Sequence, residues 1–197
     1  MNIALFFGSF NPFHLGHLHL GEFLVQNELF DEVWYIVSPC NPLKNQVDLI
    51  DENLRLEMIV GAIKHNSQLK ASDIEFTMSI PSYTIDTLNL LSQEFPENKF
   101  TLLIGSDNAL VFDKWKNYKE LIANFDIIVY PRAGYDFSVV SKIYPQMKLI
   151  NTPVYDISST QIRTFIKQKK DITTLVHPFV NQFIIENNLY QYPPQFT

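Results

Sequence analysis

Apolar runs and amphipathic stretches alternate from the first residues onward. Asn2–Phe7, NIALFF, is almost continuously apolar and reads as a buried strand. Gly16–Glu28, GHLHLGEFLVQNE, follows with helical spacing at Leu18, Gly21, Leu24 and Val25. Val33–Ser38, VWYIVS, is a second β-branched and aromatic run. Asp51–His65 opens on a good N-cap residue, Asp51, and then places Leu54, Met58 and Ile59 on one helical face. KFTLLIG (Lys99–Gly105) and DIIVY (Asp126–Tyr130) are two more buried-strand candidates. Thr84–Phe95 and Ser158–Gln168 read as helices, each with Ser or Thr near its start. This alternation predicts an α/β fold, a Rossmann-like doubly wound parallel sheet covered on both faces. From about Ser158 the chain reads as helical throughout, a small C-terminal part capping the sheet. No internal repeat or low-complexity linker divides residues 1–197, so a single domain is expected.

Composition narrows the function classes. A chain of 197 residues, 46% hydrophobic, is long enough for a real core and is not disordered. Its net charge of −6 and pI near 5.3 argue against a nonspecific duplex-binding protein, so no nucleic-acid partner is expected. Small anionic substrates stay compatible with it, because a local basic site can sit on an acidic protein. The lone Cys40 excludes an intrachain disulfide and a Cys-cluster zinc site. No apolar run approaches the roughly 20 residues of a membrane span, and the start lacks the features of a signal peptide. A cytoplasmic setting without membrane attachment is the expectation. Homo-oligomerisation is left open by the sequence.

In doubly wound sheets, ligands bind beyond the carboxyl ends of the strands. Polar clusters follow several strands here: GSFNPFHLGH, SPCNPLK, GSDN and PRAGY. The stretch Gly8–Leu20 gathers three of the chain's 5 His and two of its 6 Gly. It is neither a P-loop, since no Gly precedes a Lys, nor a G-x-G-x-x-G fingerprint. Gly8 after a strand lets a backbone approach a ligand, and Pro12 stiffens the turn. Gly16 falls in the first turn of the next helix, where a side chain would obstruct a ligand. His14 and His17, three apart, can converge near the helix N-terminus, where N–H groups already favour an anion. An anion pocket, a metal site with His14, His17 and His19 as ligands, and chance clustering are all compatible with the spacing. His19 is the weakest member, because two residues past His17 it points elsewhere on a helix. Ile157–Arg163, ISSTQIR, is a second candidate. Ser158 and Ser159 would present hydroxyls and N–H groups at a helix start, with Arg163 one turn on as a phosphate fork. An ordinary N-cap with a surface Arg is the plainer alternative.

GSFNPFHLGH resembles the nucleotidyltransferase signature G-x-F-[DN]-P-x-H-x-G-H, and ISSTQIR resembles that superfamily's I-S-[ST]-x-x-[IL]-R. Two motifs in the right order are far more specific than either alone. Within that superfamily PSYTIDTL, GSDNALVFDKW, IVYPRAGY and the ending VHPFVNQFIIENNLY are similar to the nicotinate-nucleotide adenylyltransferase family, over nearly the whole chain. The resemblance implies transfer of the AMP part of ATP to nicotinate mononucleotide, with Mg²⁺, yielding deamido-NAD and pyrophosphate. It implies ATP contacts from Gly8, Ser9, Phe10, His14, His17, Gly105, Asp107, Ile157, Ser158, Ser159 and Arg163. His17 would meet the transferring phosphate, and Ser159 and Arg163 the leaving ones; His14, His17 and Arg163 form the catalytic set. It implies acceptor contacts from Thr84, Trp115 and the N–H of Lys116, with Lys44 and Arg132 at substrate phosphates. Each residue also has a plain structural alternative: N-caps for Thr84 and Asp107, a core aromatic for Trp115, surface charges for Lys44 and Arg132. Two positions depart from the family pattern. Leu43 stands where many relatives carry His in a P-P-H-K-like stretch, and Ser9 where Gly or Thr is frequent. No protein ligand set for the metal is expected, since no carboxylate cluster adjoins the first motif and Mg²⁺ keeps its waters.

Overall fold

The computed structural model describes residues 1–40 and 48–191. Among these, six strands form one sheet: β1 Asn2–Gly8, β2 Glu32–Val37, β3 Leu69–Ser72, β4 Lys99–Gly105, β5 Asp126–Tyr130 and β6 Lys148–Leu149. Their order is β3-β2-β1-β4-β5-β6, and every pairing is parallel. The apolar runs became the four central strands. β3 and β6 are four and two residues long, too short and too polar to stand out as periodic runs.

The two-residue period of β1 builds two cores. Ala4 and Phe6 point into one, Ile3 and Leu5 into the other. The first core lies under α1 (Leu15–Gln26), α2 (Glu52–Ile63), α7 (Ser159–Lys167) and α8 (Pro178–Glu186), which contribute Leu24, Met58, Ile162 and Phe183 among others. The second lies under α3 (Thr84–Glu94), α4 (Ser106–Ala109), α5 (Tyr118–Asn124) and α6 (Phe137–Ile143), through residues such as Leu88, Ala109, Leu121 and Val140. Helix starts follow local chemistry. The Asp51 carboxylate accepts from Asn53 N–H at 2.8 Å, and Ser158 Oγ accepts from Gln161 N–H at 3.2 Å. Pro178 opens α8, where its missing N–H costs nothing.

The C-terminal part differs from the expectation of continuous helix. Residues 168–177 are non-helical and separate α7 from α8. Nor does this part merely cap the sheet. Ile162, Ile172, Val176, Val180 and Ile184 are buried in the first core, because the segment covers the face on which α1 and α2 lie.

Candidate active site

The strand order reverses between β1 and β4, so a crevice opens beyond Gly8 and Gly105. The loop leaving β1 is fixed from beneath. Arg55 of α2 is 0% exposed, and its guanidinium donates to four carbonyls: Ile50 at 3.0 Å, Ser9 at 2.7 Å, Ser38 at 2.8 Å and Pro39 at 3.1 Å. One side chain thereby ties the loops after β1 and β2 to the start of α2. Phe10 adopts a left-handed φ of 45° and lays its ring over Gly8, where a Cβ would come within 3.0 Å of it. Gly8 therefore makes room for the Phe10 ring. Asn11 Nδ2 donates to Asp48 O at 2.8 Å, and Asn11 Oδ1 accepts from Ile50 N–H at 3.4 Å. The motif's Asn so holds down the segment entering α2.

His14 is the N-cap of α1 and His17 its third residue. Their rings stack with centroids 3.6 Å apart and planes 20° from parallel. His14 N–H donates to His17 Nδ1 at 3.3 Å, so a neutral His17 carries its proton on Nε2. Phe6, Phe10 and Phe13 pack around the His17 ring at 5.6, 5.0 and 5.5 Å, limiting its rotamers. His14 is 3% exposed and its Nδ1 is buried with no hydrogen-bond partner. Burial, then the positive charge of Arg132, lowers its pKa from 6.5 to about 3. Gly16 lets the chain pack closely here: a Cβ would come within 3.1 Å of the His14 ring and 3.3 Å of Tyr155 Cβ. His19 is apart from the pair, its ring 5.7 Å from that of Tyr155. Among the described residues no three His, Cys, Asp or Glu gather as a metal site.

His14, Gly16 and His17 line a narrow recess together with Tyr130, Arg132, Tyr155 and Ile157. Arg132 leaves β5 with its backbone N–H on Ser106 Oγ at 3.0 Å and its Nε 3.8 Å from Asp107 Oδ1. That is an ion pair too long to be a hydrogen bond, and Asp107 Oδ1 stays buried without a donor. Gly105 is the N-cap of α4 and Asp107 its second residue, so Asp107 is not itself an N-cap.

The second motif closes on the first. Ser159 Oγ donates to Pro12 O at 2.9 Å, and Arg163 Nη1 donates to Asn11 O at 2.8 Å, across 147 and 152 residues of sequence. Arg163 Nε lies 4.0 Å from Asp48 Oδ2 and makes no hydrogen bond. Lys167 reaches the other Asp48 oxygen at 2.8 Å, and this bond holds the Asp48 carboxyl below the usual carboxylate range.

Thr84, Trp115 and Lys116 do not line that recess; Thr84 opens α3, and Lys116 reaches the start of the same helix. Tyr83 is the N-cap and Thr84 the first helical residue, so Thr84 is not the N-cap. Lys116 Nζ sits 2.9 Å from Asp86 Oδ2 and 4.4 Å above the Tyr83 ring. Trp115 packs beside Phe112 at 5.4 Å as a partly buried core aromatic, with its indole N–H buried and unpaired. Lys44 lies outside the described residues. Arg55, Asn11 and Glu75, which is treated below, escaped the sequence reading. Arg55 did leave a signal, a cation at helical spacing with the buried Met58, Ile59 and Ala62.

Comparison with known proteins matches residues 5–165 to the cytidylyltransferase-like family model. The chain is 42% identical over 190 residues to the probable nicotinate-nucleotide adenylyltransferase of Cytophaga hutchinsonii, spanning 96% of this chain and 98% of that one. It is 45% identical over 183 residues to the protein of the same description in Bacteroides fragilis, spanning 93% and 90%. Among solved structures, the Plasmodium falciparum nicotinic acid mononucleotide adenylyltransferase complexed with NaAD superposes with a TM-score of 0.83 at 25% identity, over 96% of this chain and 97% of that one.

Proposed function

This chain belongs to the cytidylyltransferase-like family and, within it, to the nicotinate-nucleotide adenylyltransferases; on that premise we propose that its two motifs grip ATP while the start of α3 grips the acceptor. The enzyme transfers the adenylyl group of ATP to nicotinate mononucleotide, giving deamido-NAD and pyrophosphate, in NAD biosynthesis. The acceptor phosphate attacks the α-phosphorus in line and pyrophosphate leaves, so no protein nucleophile is required. Catalysis is positioning and charge stabilisation. His17 Nε2–H meets the α-phosphate as its charge grows, and His14 and Arg132 face the same phosphates. Ser159 and Arg163 hold the leaving β- and γ-phosphates, Arg163 turning its unpaired Nε–H and its fork toward them. Phe10, Gly105, Asp107, Ile157 and Ser158 complete the nucleotide site. The N–H groups of the first turn of α3 and of Lys116 receive the nicotinate carboxylate, and Trp115 offers a plane to the pyridine ring.

Nucleotidyl transfer generally uses a divalent metal. The donors at the recess are imidazole and guanidinium, which suit phosphate and not a hard cation. A Mg²⁺ ion arriving with ATP would be held by phosphate oxygens and water rather than by these side chains, and would offset phosphate charge. Both cores share one sheet, which supports a single domain over the chain, and a cytoplasmic setting belongs to the same reading. The observation that carries this function is the meeting of the two motifs: Ser159 and Arg163 bonded to Pro12 and Asn11, beside the stacked His14 and His17. Its test is product analysis after chelation and resupply with Mg²⁺, ATP and nicotinate mononucleotide. Deamido-NAD and pyrophosphate in equal amounts are expected. A requirement for a tightly held transition metal, or absence of the dinucleotide, contradicts it.

A further inference from the structure

Glu75 is a carboxylate buried away from the phosphate recess. It sits on a short 3₁₀ turn, Ile74–Thr77, just beyond the end of β3, and is 1% exposed. Among the described residues no Lys or Arg pairs with it. A buried carboxylate without a counter-ion is costly unless its oxygens are fully hydrogen-bonded. Here Oε2 accepts from Ser82 Oγ at 2.6 Å and Oε1 from Thr87 Oγ1 at 2.8 Å. Those two residues flank the start of α3. Ser82 precedes the N-cap Tyr83, and Thr87 belongs to the first turn, its backbone N–H bonded to Tyr83 O at 3.2 Å. Ser82 and Thr87 are themselves buried. The carboxylate is thus a two-point clamp across the turn between the loop and the helix, with Tyr83 and Thr84 held between its jaws.

We propose that Glu75 is a positioning residue for acceptor recognition: by clamping Ser82 and Thr87 it sets the direction in which the first turn of α3 presents its N–H groups. The inference rests on the reading of that turn as the receiver of the nicotinate carboxylate. A helix merely needing to pack would be served by an apolar side chain at Thr87, with no carboxylate to desolvate. Hydrogen bonds from N–H groups to a carboxylate are directional, so a rotation of the turn weakens the acid acceptor and leaves the ATP site as it was.

The test compares wild-type protein with Glu75→Gln and Thr87→Val by steady-state kinetics in both substrates, with thermal midpoints recorded alongside. Gln keeps the volume but offers one carbonyl oxygen in place of two acceptors. Glu75→Gln is expected to raise KM for nicotinate mononucleotide about tenfold, with KM for ATP unchanged within about twofold, on the scale of one lost charge-assisted bond. The preference for the acid over nicotinamide mononucleotide should contract by a similar factor. Thr87→Val removes one of the two bonds from the other side and should shift the acceptor KM the same way, about threefold; it decides the matter if Glu75→Gln does not fold. A purely structural clamp would lower the thermal midpoint and leave both KM values alone, which overturns the inference, as would parallel rises in both. A wild-type enzyme without acid preference would overturn the reading of α3 and this inference with it. An intact wild-type preference with an unmoved acceptor KM in the folded variants would overturn the inference alone.

Discussion

Neutral imidazole looks poorly suited to gripping phosphate, yet His14 is kept neutral by its surroundings. Burial and the nearby Arg132 lower its pKa from 6.5 to about 3. A histidine depressed in this way favours the folded state fully only above its unfolded value. Stability is lost as pH falls from 6.5 toward 3, because the unfolded chain takes up a proton that the folded one refuses. One such group contributes a slope of up to about 1.4 kcal/mol per pH unit. Denaturant titrations between about pH 6.5 and 5, above the range where carboxylates titrate, should show this slope, and His14→Gln should flatten it. A wild-type stability flat across that window would contradict the burial argument. His17 is the residue proposed to meet the α-phosphate. His17→Ala should lower kcat on the order of 10²-fold or more with the fold intact, since a contact made in the transition state is lost. Near wild-type kcat in the variant would refute that duty. The histidines were legible because three of them crowd one strand end. Glu75 was not, because a lone carboxylate beside PSYT reads as surface until the fold buries it. The packing over Gly8 was likewise hidden: sequence shows that a glycine follows the strand, not that the Phe10 ring lies above it.

Long periodic elements were legible and short ones were not. α1, α2, α3 and α7 fall within the stretches marked by caps and apolar spacing, while β3 and β6 exist only by pairing with a neighbour at the sheet edges. The non-helical 168–177 segment also escaped notice, since its Ile172 and Val176 are apolar at helical spacing yet are buried individually in the first core. α2 does more than cover the sheet. Through Arg55 it bonds the carbonyls of Ser9, Ser38, Pro39 and Ile50 and so sets the loops on both sides of the crevice. Arg55→Met keeps an unbranched stem but strands four carbonyls, one of them fully buried. It should lower the unfolding free energy by about 2–4 kcal/mol, the scale of losing hydrogen bonds from a charged donor. Urea denaturation measures this, and a loss under about 1 kcal/mol would show that water satisfies those carbonyls instead.

The strand order places β1 and β4 side by side at the centre, so that segments far apart in sequence meet above them. This is why Arg163 can reach Asn11 over 152 residues, and why an acidic chain with net charge −6 can set Arg132 beside His14 and His17 in one recess. The class of fold followed from strand–helix alternation, and the pairing of motifs indicated which ends of the chain must converge. That Thr84, Trp115 and Lys116 lie outside the recess lined by His14 and His17 needed the three-dimensional arrangement. The proposed function needs the two together: ATP held by the motifs, and a carboxylate-bearing acceptor held by a helix start. Nicotinamide mononucleotide lacks the carboxylate and would turn an NH₂ donor toward N–H donors. A lost charge-assisted bond and an unpaired donor cost roughly 1–3 kcal/mol each. The most direct measurement is kcat/KM for nicotinate and nicotinamide mononucleotides at one saturating ATP concentration. Preference for the acid on the order of 10² to 10⁴ is expected, since about 1.4 kcal/mol is tenfold; equal values, or a preference for the amide, would contradict recognition of the carboxylate at α3.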